Sequence, residues 1–318
     1  MPTTRYPRVN PRSGLREKWH DHFKVPLVTQ RSITSLKFNG QTTAVHRVPL
    51  ENGLTLDFYA RLCASDELVI TFHGAYLKRK YEHPRFERVR SLRGAIPTHI
   101  AVADPTMLLD PSKKMLLSWY LGGPGWDPMD DILKVIARAK GRSGAKHVLF
   151  IGGSGGGHAA LRLSAHLPGS LAYVQAPATD IHRCFPTAKK NYFETVWPGW
   201  DPESLLDAFP ERFNMPELYR RRSPENFVYY AQSTRDPHYL ETHFEPFRAA
   251  TPEKPTGAAE PRGRRWLSLY EGAKEGHGAM TPPEFHEHLD RALTWWRVQR
   301  APIADCAPLV RRPPSLTR

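Results

Sequence analysis

The sequence predicts an α/β protein in which helices cover both faces of a mostly parallel sheet. Short apolar runs of strand length alternate with stretches of helical periodicity, and the later runs are apolar throughout, as in strands buried on both faces. Hydrophobic residues make up 40% of the 318 residues, which is typical of a globular chain. No repeat of about 20 to 50 residues is visible, so solenoids and propellers are excluded.

The first predicted unit is a hairpin. Residues 43–48 and 54–62 form its strands, and Asn52-Gly53 supplies the positive φ that a tight turn needs. Apolar runs at 67–75 and 99–106 follow and are predicted to be buried strands.

Helices and strands then alternate. Residues 128–139 place apolar side chains on one side of a helix that Asp127 can cap. The run HVLFIGG at 147–153 is predicted as a buried strand leading into a glycine cluster and an apolar helix at 158–167. Three further strands are predicted to begin near 171, 227 and 265, before a final helix that a capping box at Thr281 opens.

The chain is expected to have three parts. A basic N-terminal arm covers 1–34, a folded domain covers 35–300, and a basic, proline-rich tail covers 301–318. The interval from about 181 to 225 is too long for a simple connection and too irregular for one helix, so we predict a cap-like insertion there.

The net charge of +13 is unevenly distributed. Segments 1–24, 247–265 and 297–318, which are rich in proline, glycine and alanine, hold +11 of it. The rest of the chain is nearly neutral, which argues against a specific nucleic-acid partner and predicts solvated arms weakly attracted to anionic surfaces.

The three cysteines Cys63, Cys184 and Cys306 are too few and too far apart for a disulfide framework or a thiolate metal cluster. No apolar run approaches the roughly 20 residues of a membrane span, and the first residues lack the apolar stretch of a signal peptide. We therefore expect a cytoplasmic protein with no transmembrane segment, metal or cofactor.

The motif that carries chemistry is Gly152-Gly153-Ser154-Gly155-Gly156, which matches G-x-S-x-G between a predicted strand and a predicted helix. A tight turn there holds Ser154 in a strained conformation above the sheet, and Gly152 and Gly156 let strand and helix approach. The amide of Gly155, at the helix N-terminus, can face a developing oxyanion. Ser154 is therefore predicted to be a nucleophile.

Phosphate or nucleotide binding by the same glycine-rich loop is an alternative. The P-loop pattern requires Lys followed by Ser or Thr where this chain has His158 and Ala159. The dinucleotide pattern, started at Gly153, meets His158 at its last glycine position. The loop therefore fits a nucleophile better than a phosphate.

A nucleophilic serine needs a base, and the base needs an orienting acid. His277 lies between glycines in the loop after the last predicted strand and is the candidate base. Asp236, at the end of the second-last strand, is the first candidate acid. Asp180, at the end of the preceding strand, competes with it, and Asp201 in the insertion comes third.

A second oxyanion donor is expected in the turn that follows the strand at 67–75. The amide of Ala75 is the first choice and that of Tyr76 the next. The side chain of His73 is equally compatible with packing at the end of the strand and with a catalytic role.

With these motifs the chain resembles the α/β-hydrolase-fold serine hydrolases over about residues 40–300. Ser154, Asp236 and His277 follow the chain order that the family uses. The resemblance implies an eight-stranded, mostly parallel sheet and an acyl-enzyme formed on the serine. Gly157 and His158 depart from the larger side chain that many members place after the elbow.

Four aromatic residues are candidate substrate contacts, because they lie in glycine- and proline-rich segments without regular periodicity: Tyr76, Trp119, Trp126 and Trp197. Their flat rings suit an acyl chain or a sugar, and they suit a small core of the insertion equally well. We predict a serine esterase acting on a small-molecule or carbohydrate ester, with acyl transfer to a carbohydrate as the alternative.

Overall fold

The computed structural model describes residues 6–38, 43–78, 82–92, 94, 96–251 and 263–300. The predicted tail at 301–318 and residues 252–262 of the basic segment at 247–265 lie outside the described residues.

The strands of the described residues belong to a single sheet. They are β1 (Arg8–Val9), β2 (Arg16–His20), β3 (Val25–Thr29), β4 (Thr43–Pro49), β5 (Thr55–Arg61), β6 (Glu67–Phe72), β7 (His99–Val102), β8 (His147–Gly153), β9 (Leu171–Gln175), β10 (Phe227–Ser233) and β11 (Arg265–Tyr270). Across the described part of the chain these eleven strands lie in the order β1-β2-β3-β4-β5-β7-β6-β8-β9-β10-β11.

The sheet is mixed rather than mostly parallel throughout. From β7 to β11 the neighbouring strands in this order run parallel, whereas β5 is antiparallel to both β4 and β7. Parallel strands present their carboxyl ends at one edge, which is where open α/β sheets place their sites.

The predicted count of eight strands was wrong, because residues 8–29 are part of the sheet instead of a solvated arm. β1 pairs with β2, β2 pairs with β3, and β3 adds alongside β4. The buried carboxylate of Glu17 accepts hydrogen bonds from Arg8 and Asn10, so part of the basic charge of this segment is paired within the fold.

The described helices lie between and after the strands. They are α1 (Pro128–Ser143), α2 (Ser154–Ala165), α3 (Pro186–Val196), α4 (Pro202–Ala208), α5 (Pro210–Phe213), α6 (Met215–Arg222), α7 (Pro237–Tyr239), α8 (Glu245–Ala250) and α9 (Pro282–Arg300). Short 3-10 helices cover Pro105–Leu109 and Ile181–Arg183, and a π-helical turn at Leu240–Phe244 joins α7 to α8.

Helices cover both faces of the sheet, as the alternation of side chains in β8 shows. Val148 and Phe150 belong to the core that α1 and α2 share with the sheet. Leu149 and Ile151 belong to the opposite core, which α9 covers. Apolar burial on both sides therefore stabilises the central strands, and no helix of the described residues is both long and apolar enough to cross a membrane.

Residues 181–222 form the 3-10 turn and helices α3 to α6 between β9 and β10. Apolar side chains of α3 to α5 pack into a core with Trp119 and Leu121. Those of α6 instead join the core that α1 and α2 share with the sheet. This segment contacts α2 at His158, whose Nε2 lies 3.1 Å from the carbonyl oxygen of Arg212. Burial lowers the pKa of His158 to about 4, so the ring is neutral and has one N–H, which the carbonyl oxygen of Ala178 can accept at 2.8 Å from Nδ1.

Candidate active site

Ser154 stands at the sharp junction between β8 and α2. It is the first residue of the helix and has a φ of +51°, in the left-handed region that non-glycine residues rarely adopt. A Cβ atom added at Gly156 would lie 2.5 Å from the carbonyl oxygen of Phe72, and one at Gly152 would overlap the carbonyl group of Gly156. The glycines therefore allow the close approach of backbones that holds Ser154 above the sheet.

Replacement of Gly152 by alanine is expected to lower the melting temperature by roughly 5 °C or more, because the new methyl group displaces backbone atoms of the elbow. Gly153→Ala is the matched control, since its Cβ would meet Gln175 at an ordinary 3.5 Å. Thermal unfolding of both variants tests this account. Equal melting temperatures for Gly152→Ala and Gly153→Ala would contradict it.

The structure brings Ser154, His277 and Asp236 together in one hydrogen-bonded chain. The Oγ of Ser154 lies 2.9 Å from Nε2 of His277. On the other side of the ring, Nδ1 lies 2.9 Å from Oδ2 of Asp236. With a proton on Nδ1, the ring donates to the carboxylate and can accept the serine proton at Nε2.

The loops after β10 and β11 position the acid and the histidine. Asp236 is the N-cap residue of α7, where its Oδ1 accepts a hydrogen bond of 3.1 Å from the amide of Tyr239. One carboxylate oxygen therefore caps the helix, and the other contacts His277. Gly276, with a φ of +70°, donates its amide to the carbonyl of Arg235 at 2.8 Å. This bond ties the two loops together beside the end of β8.

Burial lowers the pKa of His277 below its ordinary value of 6.5, and the hydrogen bond and charge of Asp236 oppose that shift. Asp236 itself is only 3% exposed. The imidazole is therefore neutral near pH 7, which is the form that can accept a proton.

Tyr239 is a site residue that the sequence reasoning missed. Its ring stacks on that of His277, with centroids 3.7 Å apart and planes inclined by 12°. The sequence contained a hint of this position, because an aspartate that caps a helix commonly accepts from the amide of the residue three positions later, here Tyr239. Tyr239 thus shields one face of the histidine from water.

The two competing acids have other partners. Asp180 caps the 3-10 turn by accepting from the amide of His182 at 2.9 Å, and it lies 3.5 Å from the guanidinium of Arg183. Asp201 caps α4 through the amide of Ser204. Among the described residues, the carboxylate that contacts His277 is that of Asp236.

The two candidate oxyanion donors lie close to Ser154. Gly155 follows Ser154 in the first turn of α2, where amides have no partner within the helix. Ala75 lines the cavity that contains Ser154. The amide of Tyr76 instead donates to the carbonyl of Leu116 at 2.8 Å, so it is already engaged. Of the two amides proposed from the sequence, that of Ala75 is the better placed donor.

His73 supports the turn that presents Ala75. Its Nε2 accepts from the amide of Asp104 at 3.1 Å, and Nδ1 donates to the carbonyl of Gly74 at 2.8 Å. Burial lowers its pKa to about 3, so the ring is neutral. The buried carboxylate of Asp104 in turn binds Ser118 and the amide of Tyr120. His73 is therefore part of strand-end packing.

The four aromatic side chains proposed as substrate contacts do not line the cavity at Ser154. Trp119 and Trp197 are buried in the core of the insertion against Tyr192. Trp126 lies beside α1 and points its indole nitrogen at Asp131, and Tyr76 is buried with its hydroxyl 3.0 Å from His83. Tyr76, Trp119 and Trp197 thus belong to the core of the insertion, and Trp126 packs against the core that α1 and α2 share with the sheet.

The cavity at Ser154 measures about 560 Å³, and its largely apolar lining also includes charged and amide side chains. Its lining side chains include Leu77, Arg85, Glu87, Arg88, Gln175 and His277. Sequence reasoning missed the arginines, because no local pattern places residues 85–88 beside the elbow. Within the described residues, no group of three His, Cys, Asp or Glu side chains is arranged to hold a metal ion.

Comparison with solved structures shows the α/β-hydrolase fold. The capsule O-acetyltransferase of Neisseria meningitidis serogroup A superposes with a TM-score of 0.57 at 13% identity, over 82% of this chain and 99% of that chain. An S-formylglutathione hydrolase from Agrobacterium tumefaciens gives 0.53 at 13%, over 82% and 97%. Carboxyl esterase 2 from Tuber melanosporum gives 0.52 at 14%, over 83% and 89%. No family model and no curated protein sequence matches the chain.

Proposed function

We propose that the protein is a serine hydrolase that cleaves a carboxylic ester through an acyl-enzyme on Ser154. The observation that carries this proposal is the unbroken chain of two 2.9 Å contacts from Ser154 through His277 to Asp236. The strained φ of Ser154 and the fold shared with known esterases support the same conclusion.

The first half of the reaction forms the acyl-enzyme. Oγ of Ser154 attacks the ester carbonyl carbon while its proton moves to Nε2 of His277, and Asp236 stabilises the resulting imidazolium. The amides of Gly155 and Ala75 donate to the oxyanion of the tetrahedral intermediate. His277 then gives its proton to the leaving alkoxide as the bond to it breaks, which releases the alcohol and leaves the acyl group on Ser154.

The second half of the reaction removes the acyl group. Water loses a proton to His277 and attacks the acyl carbonyl, and collapse of the intermediate returns that proton to Ser154 and releases the acid. No step requires a metal or a cofactor. The contact between Ser154 and His277 counts against phosphate binding as the role of the glycine loop, because it commits the serine hydroxyl to a base.

The pH dependence of kcat/KM is expected to follow the protonation of His277. Burial lowers the pKa of His277, so the unprotonated base persists below pH 6.5 and activity declines only at more acidic pH. Initial rates with 4-nitrophenyl acetate, corrected for the ionisation of the nitrophenol, give the midpoint. A midpoint above 6.5 would contradict a buried base at this position.

Transfer of the acyl group to a carbohydrate hydroxyl is the second candidate. It is favoured by the fold shared with a capsule O-acetyltransferase and by a cavity of 560 Å³, which leaves room for an acceptor beside the acyl group. The triad would act in the same way, with a sugar hydroxyl in place of water.

Product analysis with and without an added neutral oligosaccharide distinguishes the two candidates. For an esterase, acetate should form in equal amount to 4-nitrophenol and the oligosaccharide should not change the rate. If acetylated oligosaccharide were the main product, acyl transfer would be the function and hydrolysis would be excluded. An absence of 4-nitrophenol release by the folded enzyme would overturn both.

A further inference from the structure

We propose that Arg88 and Gln175 form a subsite for a carboxylate carried by the ester substrate. This inference rests on the proposed function and names the chemical class of its substrate. Both side chains line the 560 Å³ cavity that also contains Ser154 and His277.

Arg88 is a largely buried cation whose ion pair with a carboxylate is long. Its side chain is 17% exposed, and its guanidinium lies 3.8 Å above the ring of Phe285, which fixes its direction. The nearest carboxylate, that of Glu87, is 3.9 Å away. Glu87 forms its shorter contact, 2.6 Å, with Arg85. Burial lowers the pKa of Arg88, as expected for an arginine whose charge is incompletely compensated.

Gln175 supplies a second donor. The residue is 8% exposed, and its Oε1 accepts a hydrogen bond of 3.3 Å from Arg88. Its Nε2 is buried and has no hydrogen-bond partner within the described residues. A buried amide donor without a partner is costly. A half-turn of the amide would exchange Nε2 with Oε1, which lies beside Arg88, so that a ligand oxygen could accept from both side chains.

The pair lies next to the reacting serine. Gln175 is the register partner of Gly153 across β8 and β9, one residue before Ser154. A Cβ atom placed on Gly153 would lie 3.7 Å from Oε1 of Gln175. The lining of the cavity holds two arginines and one glutamate, so its wall carries a net positive charge. Guanidinium and amide donors on one wall suit the two oxygens of a carboxylate.

Two pairs of esters test the subsite and locate the carboxylate. On the acyl side, 4-nitrophenyl hemiglutarate is compared with 4-nitrophenyl valerate. On the alcohol side, 4-acetoxybenzoate is compared with 4-acetoxybenzamide. We expect wild-type kcat/KM to be about 10-fold or more higher for the anionic member of one pair. The pair that shows this preference identifies the half of the substrate that carries the charge.

Arg88→Gln should lower kcat/KM for the preferred anionic ester by about 10- to 100-fold, mainly through KM, and change that for its neutral partner by less than about 3-fold. Gln175→Glu should remove the preference as well, because its carboxylate would pair with Arg88. Arg88→Lys should retain part of it. Arg291→Gln is the charge-matched control, since Arg291 pairs with Glu287 on the outer surface of α9, and it should keep the full preference.

Wild-type enzyme that hydrolyses the neutral esters but prefers neither anionic ester would overturn the subsite and leave the proposed function standing. Equal losses for anionic and neutral esters in Arg88→Gln, with no preference for the anionic ester retained by Arg88→Lys, would also overturn it. Failure of all four esters would instead remove the proposed function and this inference together.

Discussion

Ser154→Ala is expected to lower kcat/KM for ester hydrolysis by about 10⁵-fold or more, because the change removes the atom that forms the acyl-enzyme. The variant should fold normally. Alanine keeps the Cβ atom of serine and lacks only the hydroxyl group, and it takes the same backbone φ of +51°. Steady-state hydrolysis of 4-nitrophenyl acetate at equal protein concentration measures the effect.

Ser204→Ala is the matched control for this change. Ser204 is exposed in the insertion. Its backbone amide, which alanine also has, donates a hydrogen bond to the carboxylate of Asp201 that caps α4. Its kcat/KM should stay within about 2-fold of wild type, as for most surface substitutions. A Ser154→Ala variant that retains more than about one-hundredth of wild-type activity would show that the hydrolysis takes place without this nucleophile.

Asp236→Asn is expected to lower kcat by about 10⁴-fold while preserving the fold. An asparagine at this position can present its amide group to Nδ1, which favours the tautomer with the proton on Nε2 and so removes the acceptor for the serine proton. Asp236 also raises the pKa of His277, so the acid limb of the remaining activity should move to lower pH in the variant. Steady-state rates across a pH series measure both effects.

Asp180→Asn provides the comparison for this second prediction. Asp180 is a buried aspartate that caps a helical turn, as Asp236 does, but the described partners of its carboxylate are the amide of His182 and the guanidinium of Arg183. Its replacement should change kcat by less than about 3-fold. If Asp180→Asn were the more damaging of the two, the assignment of the acid would be wrong.

The elbow could be predicted from the sequence because its determinants are local. A buried strand, six consecutive small residues and an apolar helix lie within about 20 residues, and the close approach of Gly152 to Gly156 follows from that order. Asp236 and His277 were within reach of sequence reasoning for a related reason. Asp236 follows one predicted strand directly and His277 lies in the loop after the next, and parallel strands bring their carboxyl ends to one edge.

The N-terminal strands could not be predicted in the same way. β2 has the sequence REKWH and β3 contains Pro26, so neither shows a clear apolar pattern. Their stability depends on partners outside the segment, such as the register of Leu27 with Val45 in β4. Long-range pairing of this kind leaves little trace in a charged stretch, which therefore resembled a solvated arm.

The wall of the cavity escaped prediction for a similar reason. Trp119 and Trp197 attracted attention as aromatic residues in irregular segments, yet they fill the core of the insertion. Arg88 and Gln175 lie 87 positions apart in the sequence, and only the fold places them side by side next to Ser154. Residue type alone could not distinguish a ring that packs from a ring that binds.

Covalent labelling with a fluorophosphonate tests the central claim most directly, because the probe reports whether His277 activates Ser154. Peptide mapping by mass spectrometry should find one adduct on Ser154 in the wild-type protein, and His277→Ala should react at least about 100-fold more slowly. Labelling of another residue, or an equal rate in folded His277→Ala, would contradict the claim.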